Sequence, residues 1–175
     1  MQVIHLLRDP RATLNSQTRL QNKLFDRKDI DIVSRDFCHV MLGDLKKGDA
    51  LKARYPDRLL RIRYEDLAMT PLKFAEALVK FTGLQMTPEL GERLLTITSA
   101  GAPCRDDYCT STTDSKKVVM KWRTQLDFRS VEMIDANCGR VYDRLGYFPL
   151  RSKQDLLNLS VPYFAEFLDV PGLWE

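Results

Sequence analysis

The chain contains no run of eighteen apolar residues and no leader in which charged, apolar and small-residue stretches follow one another, so the sequence as written encodes neither a membrane span nor a signal peptide. Histidine is scarce. The two present, His5 and His39, are far in sequence from every cysteine except Cys38, and no Cys-x-x-Cys occurs, which leaves no convincing zinc pattern and no expected metal. The eight glycines are scattered; none builds a Gly-rich turn after a strand, and GxxxxGK[ST] is absent, which counts against a kinase-like phosphotransferase. An excess of one charge is missing too: 27 Lys and Arg face 24 Asp and Glu, a net charge of +3, too mild to argue for a nucleic-acid polyanion. A locally basic cleft for a smaller anion stays open. No segment is repetitive or of low complexity, and 175 residues fit one domain.

What the chain does have begins at Val3. In VIHLLRDPRATLNS, residues 3–16, Val3, Ile4, Leu6 and Leu7 form the near-continuous apolar run of a strand buried on both faces, and Asp9 caps a helix with Pro10 as its first residue. Arg8 then stands at the strand's carboxyl end, where ligands of open α/β sheets collect. Ser16 lies seven residues past Asp9, close to two helical turns, on the face of the cap. Two donors facing one spot suit a phosphate; the plainer reading is an ordinary helix start with an arginine paired to a surface carboxylate.

Further along, 27–57 reads as one amphipathic helix followed by a polar stretch. RLLRIRYEDL, residues 58–67, reads as a second strand with Leu60, Ile62 and Tyr64 on one face and Arg61 and Arg63 on the other. Thr70-Pro71 signals a helix carrying Leu72, Phe74, Ala75, Leu78, Val79 and Phe81 until Gly83. Ser130 is the expected cap of a helix whose stripe is Val131, Ile134, Cys138, Val141 and Leu145, stopped by Gly146. Lys116 and Lys117 read first as solvated surface. Four cysteines form an even set, Cys38, Cys104, Cys109 and Cys138, with pairing open: at least one bridge is expected in an oxidising compartment, four thiols in cytosol. Asn158-Leu159-Ser160 is a glycosylation sequon. Leu156, Leu157, Tyr163, Phe164, Phe167, Leu168 and Trp174 give the tail, 151–175, an amphipathic pattern expected to pack on the domain.

Three blocks in order, HLLRDPRATLNS, RYEDLAMTPLKFAEALVKFTGL and the stretch from SKKVVMKWR to DRLGY, together resemble the sulfotransferases that use PAPS (3′-phosphoadenosine 5′-phosphosulfate), in the form typical of Golgi carbohydrate sulfotransferases. The resemblance covers roughly Gln2 to Pro149. It implies an α/β fold with a central parallel sheet flanked by helices, related to P-loop NTPases, a sulfotransferase domain over 1–150, PAPS as co-substrate with PAP (3′-phosphoadenosine 5′-phosphate) as product, and a glycan acceptor. By resemblance, Arg8 and Ser16 hold the 3′-phosphate, Tyr64 lies beside the adenine, and Lys116 and Lys117 stand where basic residues reach that phosphate. The family's Ser- and Gly-rich loop for the 5′-phosphosulfate has no counterpart here, so an amino-terminal part bearing that loop and a Golgi membrane anchor is expected to be missing. A catalytically silent nucleotide-binding module is therefore the alternative to an active enzyme. No general base is assigned, since His5 falls in a strand and His39 on a helix, and the sequence gives no oligomeric state.

Overall fold

The computed structural model describes residues 1–19, 25–99 and 114–165. In chain order the regular elements are β1 (Val3–Leu7), α1 (Pro10–Gln17), α2 (Ile30–Arg54), β2 (Leu59–Arg63), α3 (Tyr64–Met69), α4 (Pro71–Phe81), α5 (Pro88–Ser99), α6 (Ser115–Met120), α7 (Phe128–Leu145) and α8 (Lys153–Leu157). They fall into two compact, discontinuous units: Met1–Leu7 with Asp57–Val119, and Arg8–Pro56 with residues 120–165.

In the first unit β1 and β2 pair in parallel, Val3 opposite Leu59 and Leu7 opposite Arg63. Leu60, Ile62 and Phe74 form the apolar centre, joined by Leu67, Ala77, Leu78 and Phe81 from α3 and α4. The expectation that β1 is buried on both faces fails, because Ile4 is 43% and Leu6 53% exposed. Helices α3 and α4 cover β2, and in a sheet of two strands the corresponding face of β1 has no such cover among the described residues. The second strand differs as well: all five of its residues are buried, both arginines included. Arg63 is tolerated there because its Nε and Nη2 donate to the two carboxylate oxygens of Asp66 at 2.6 and 2.7 Å, a fork that offsets the desolvation of both charges. Tyr64 is not a strand residue but the first of α3. Helix α4 starts at Pro71 after Thr70 and closes as expected, with Gly83 at φ +74° and the Leu84 N–H reaching back to the Val79 carbonyl at 2.8 Å.

In the second unit α2 packs on α7. The polar stretch expected before residue 57 is instead the continuation of α2, which runs 25 residues to Arg54 and buries Ile30, Ser34, Cys38, Met41, Leu45 and Gly48 along one stripe. Polar and small residues sit on that stripe, which is why its hydropathy fades while its packing continues. On α7, Val131, Ile134, Cys138, Val141 and Leu145 are all fully buried, as their spacing predicted. A disulfide joins Cys38 to Cys138 between the two stripes, and Asn137 Nδ2 donates to the Asp31 carboxylate and to Ser34 Oγ at 2.9 Å each. Cys104, Cys109, Phe167, Leu168 and Trp174 lie outside the described residues.

The cap of α7 is Asp127, not Ser130. Its carboxylate accepts the Ser130 N–H at 2.8 Å and the Ser130 hydroxyl at 2.9 Å. Burial pushes the Asp127 pKa up, but these hydrogen bonds and the Arg27 charge outweigh it and hold the carboxyl below its ordinary value. A carboxyl held low in the fold stabilises it above the carboxylate range, and that support is lost as pH falls through the folded pKa. Asp127→Ala is expected to cost about 1 kcal/mol in urea denaturation at neutral pH, with the difference from wild type shrinking on acidification. At the other end Gly146 adopts φ +69° and donates to the Tyr142 carbonyl at 2.8 Å.

Candidate anion-binding site

The sheet's first strand ends at Leu7, the chain turns at the half-buried Arg8, and Asp9 caps α1 by accepting the Arg11 N–H at 2.8 Å. Pro10 occupies the first helical position, where its missing N–H costs nothing. Helix α1 buries Pro10, Arg11, Ala12, Leu14 and Asn15, and leaves Ser16 exposed one residue before its end. Arg8 and Ser16 thus share one strand-to-helix segment and one compact unit, at the carboxyl end of a parallel strand.

A second arginine, which no local sequence signal marks, organises this turn. Arg11 is fully buried. Its Nε and Nη2 donate to the Asp9 carboxylate at 3.0 and 2.9 Å, Nη1 donates to the Phe148 carbonyl at 3.0 Å, and Asp135 Oδ1 lies 3.3 Å from Nη1. The guanidinium carbon sits 4.5 Å from the ring centroid of Trp122 and 4.8 Å from that of Tyr142, a cation on aromatic faces. Asp135 in turn accepts from the Tyr142 hydroxyl at 2.7 Å and from the Leu150 N–H at 2.9 Å. Burial alone pulls the Arg11 pKa down, yet Asp9, Tyr142 and Asp135 outweigh it and drive it upward, so Arg11 is a permanent cation. Burial raises the Asp135 carboxyl against the pull of Arg11, and burial likewise raises the Tyr142 hydroxyl well above its usual value. The carboxylate next to Arg8 in sequence is therefore gripped by Arg11.

Tyr64, Lys116 and Lys117 lie in the other unit. Tyr64 is half-buried at the start of α3, next to the Arg63–Asp66 fork and the fully buried Glu65. Lys116 and Lys117 are exposed on α6. Their backbone N–H groups donate to Asp114 Oδ1 at 3.0 and 3.3 Å, and Lys117 Nζ lies 3.6 Å from the same carboxylate, which meets the Lys117 charge. Lys116 also lines a cleft of about 390 Å³ with Thr70, Pro71, Lys73, Leu95 and Ser115, which includes neither Arg8 nor Ser16. His5 is half-buried within β1 and His39 exposed on α2. Among the described residues no group of three or more His, Cys, Asp or Glu is placed to hold a metal ion, and no helix is long and apolar enough to cross a membrane.

A parallel strand pair whose first strand runs into an Asp-capped, Pro-started helix, with helices on the sheet and a helical second unit, defines a mixed α/β protein. The profile of the sulfotransferase family matches residues 1–88, which contain β1, α1 and β2 with Arg8, Ser16 and Tyr64. The chain belongs to that family. It is 32% identical over 182 residues to human carbohydrate sulfotransferase 6 (92% of this chain, 45% of the relative). It is 28% identical over 176 residues to mouse carbohydrate sulfotransferase 4 (92% and 45%), and 29% over 179 residues to mouse carbohydrate sulfotransferase 3 (95% and 38%). The chain thus spans less than half the length of these relatives. No solved structure matches it significantly.

Proposed function

We propose that this chain carries the 3′-phosphate-gripping part of a PAPS-dependent carbohydrate sulfotransferase, which moves sulfate from PAPS to a sugar hydroxyl of a glycan in the Golgi lumen. The two paired strands are then part of that family's central parallel sheet, and 1–150 its sulfotransferase domain. One observation carries the reading: the family profile covers the segment in which Arg8 leaves a parallel strand immediately before an Asp-capped helix that ends with Ser16 exposed. The donor set suits the ligand, since a guanidinium and a hydroxyl offer hydrogen bonds to a phosphate dianion. In the same reading Tyr64 lies beside the adenine, and Lys116 and Lys117 lend positive charge.

The 3′-phosphate sits at the end of PAPS remote from the breaking S–O bond, so Arg8 contributes the same binding to ground and transition states rather than selective stabilisation of the latter. A charge-assisted hydrogen bond contributes roughly 1.5–3 kcal/mol, which places the expected loss of PAP affinity in Arg8→Ala at about ten- to a hundredfold by calorimetry, with a smaller loss in Ser16→Ala. Equal affinity in wild type and Arg8→Ala sinks the assignment. Transfer of radiolabelled sulfate to a glycan panel separates an active enzyme from a module that binds nucleotide without turnover.

A further inference from the structure

The sequon at Asn158 is the one Asn-x-Ser/Thr in the sequence, its middle residue is not proline, and the sulfotransfer reading makes no use of it. All three of its residues are exposed. Asn158 follows α8 directly, and its Oδ1 accepts the Ser160 N–H at 3.1 Å, closing a tight turn between the acceptor and the hydroxyl-bearing residue. No described residue takes a hydrogen bond from Asn158 Nδ2. The backbone beneath is fixed from inside the unit: the fully buried Arg123 donates to the carbonyls of Leu156 at 3.1 Å, Val161 at 2.9 Å and Asn158 at 2.8 Å, and also to that of Asp155. Leu157 and Leu159, on either side of the asparagine, are 62% and 51% exposed, apolar surface that a covalently attached saccharide would shield.

A second observation comes from elsewhere in the same unit. Cys38 and Cys138 form a buried disulfide, and such bonds form and persist in oxidising compartments, the setting in which sequons are read. From the exposed, turn-held sequon and the disulfide together, we propose that Asn158 is the acceptor of an N-linked oligosaccharide. In the attachment step Asn158 Nδ2 bonds to C1 of the reducing-end N-acetylhexosamine of a lipid-linked pyrophosphoryl oligosaccharide. The C1–O bond to the pyrophosphate breaks, the lipid pyrophosphate leaves with that electron pair, and the amide gives up one proton. Nothing is oxidised or reduced. The proposal stands apart from the reading of Arg8 and Ser16 and survives if that reading fails.

The test expresses the full chain behind a cleavable secretory leader in animal cells and reads only the luminal, protease-protected fraction. Wild type is expected to migrate one discrete step slower than its unmodified form, the step vanishing on treatment with peptide N-glycosidase as Asn158 becomes aspartate by mass spectrometry. Asn158→Gln and Ser160→Ala remove the step, and Ser160→Thr, which restores a hydroxyl at that position, keeps it. An unshifted wild type in the protected fraction overturns the proposal, as does a step that persists in both Asn158→Gln and Ser160→Ala.

Discussion

Arg11→Met is expected to destabilise the unit that holds α1, α2, α7 and α8 by about 3–5 kcal/mol, the range for stranding a buried charge by removing its partner. Asp9 is fully buried and Asp135 nearly so, and Arg11 faces both. Methionine fills much of the vacated volume against Trp122 and Tyr142, so the loss reads out charge more than cavity. Arg11→Lys keeps the charge but loses the planar fork that meets Asp9 and the Phe148 carbonyl together, and falls between the two. The pH dependence gives a signature. Burial already raises the Asp135 carboxyl against the pull of Arg11, and without Arg11 it rises further. A carboxyl whose folded pKa lies above its unfolded value penalises the fold above both values, and the penalty is relieved as pH falls through them. The Arg11→Met deficit in urea denaturation is therefore largest near neutrality and shrinks on acidification. A deficit below about 1 kcal/mol, in the range of an exposed ion pair, defeats the view of Arg11 as the organising cation.

Reduction of the Cys38–Cys138 disulfide has an expected cost of comparable size. The bridge spans 100 residues of sequence, and closing a loop of that length removes about 4.7 kcal/mol of chain entropy from the unfolded state, within a usual range of about 2–5 kcal/mol for native disulfides. Both sulfurs lie at the centre of the α2–α7 contact, with Cys38 1% and Cys138 0% exposed, so reductant reaches them only when the helices part. Denaturation midpoints with and without thiol reductant, with alkylation mapped to Cys38 and Cys138 by mass spectrometry, measure the effect. Matching midpoints with both thiols alkylated refute it. In Cys38→Ala/Cys138→Ala a packing loss adds to the entropic one.

Local signals carried much of this fold. Asp9-Pro10, Thr70-Pro71, Gly83 and Gly146 mark helix ends through φ and hydrogen-bond requirements that act over a few residues, and all four sit where those requirements place them. The α7 stripe was legible because its five core residues are apolar at helical spacing, whereas the α2 stripe passes through Ser34 and Gly48 and so faded from view. Ser130 and Asp127 are both sound capping residues, and only coordinates distinguish the cap from the residue that bonds to it. In β2 the alternation puts Arg61 and Arg63 on one face, but it does not show that both are buried there, which for Arg63 depends on the acid three residues on. Arg11 was invisible for a different reason: Trp122, Asp135, Tyr142 and Phe148, which define its surroundings, lie more than a hundred residues away. Arg8 and Ser16 stood out through motif and family likeness, which identify a segment without fixing where its side chains aim.

Both units are discontinuous in sequence, and this sets the order of events during synthesis. When residues 8–56 leave the ribosome, the apolar stripe of α2 and the thiol of Cys38 have no mate, because α7 follows some seventy residues later. At translation rates of roughly 5–20 residues per second that half waits for seconds before its partner exists. Strand β1 likewise waits for β2 across more than fifty residues. Closure therefore comes in two steps, the strand pair once β2 is made and the α2–α7 pair with its disulfide only after α7, and the interval between them is the stage at which chaperones and oxidising enzymes have the most to protect.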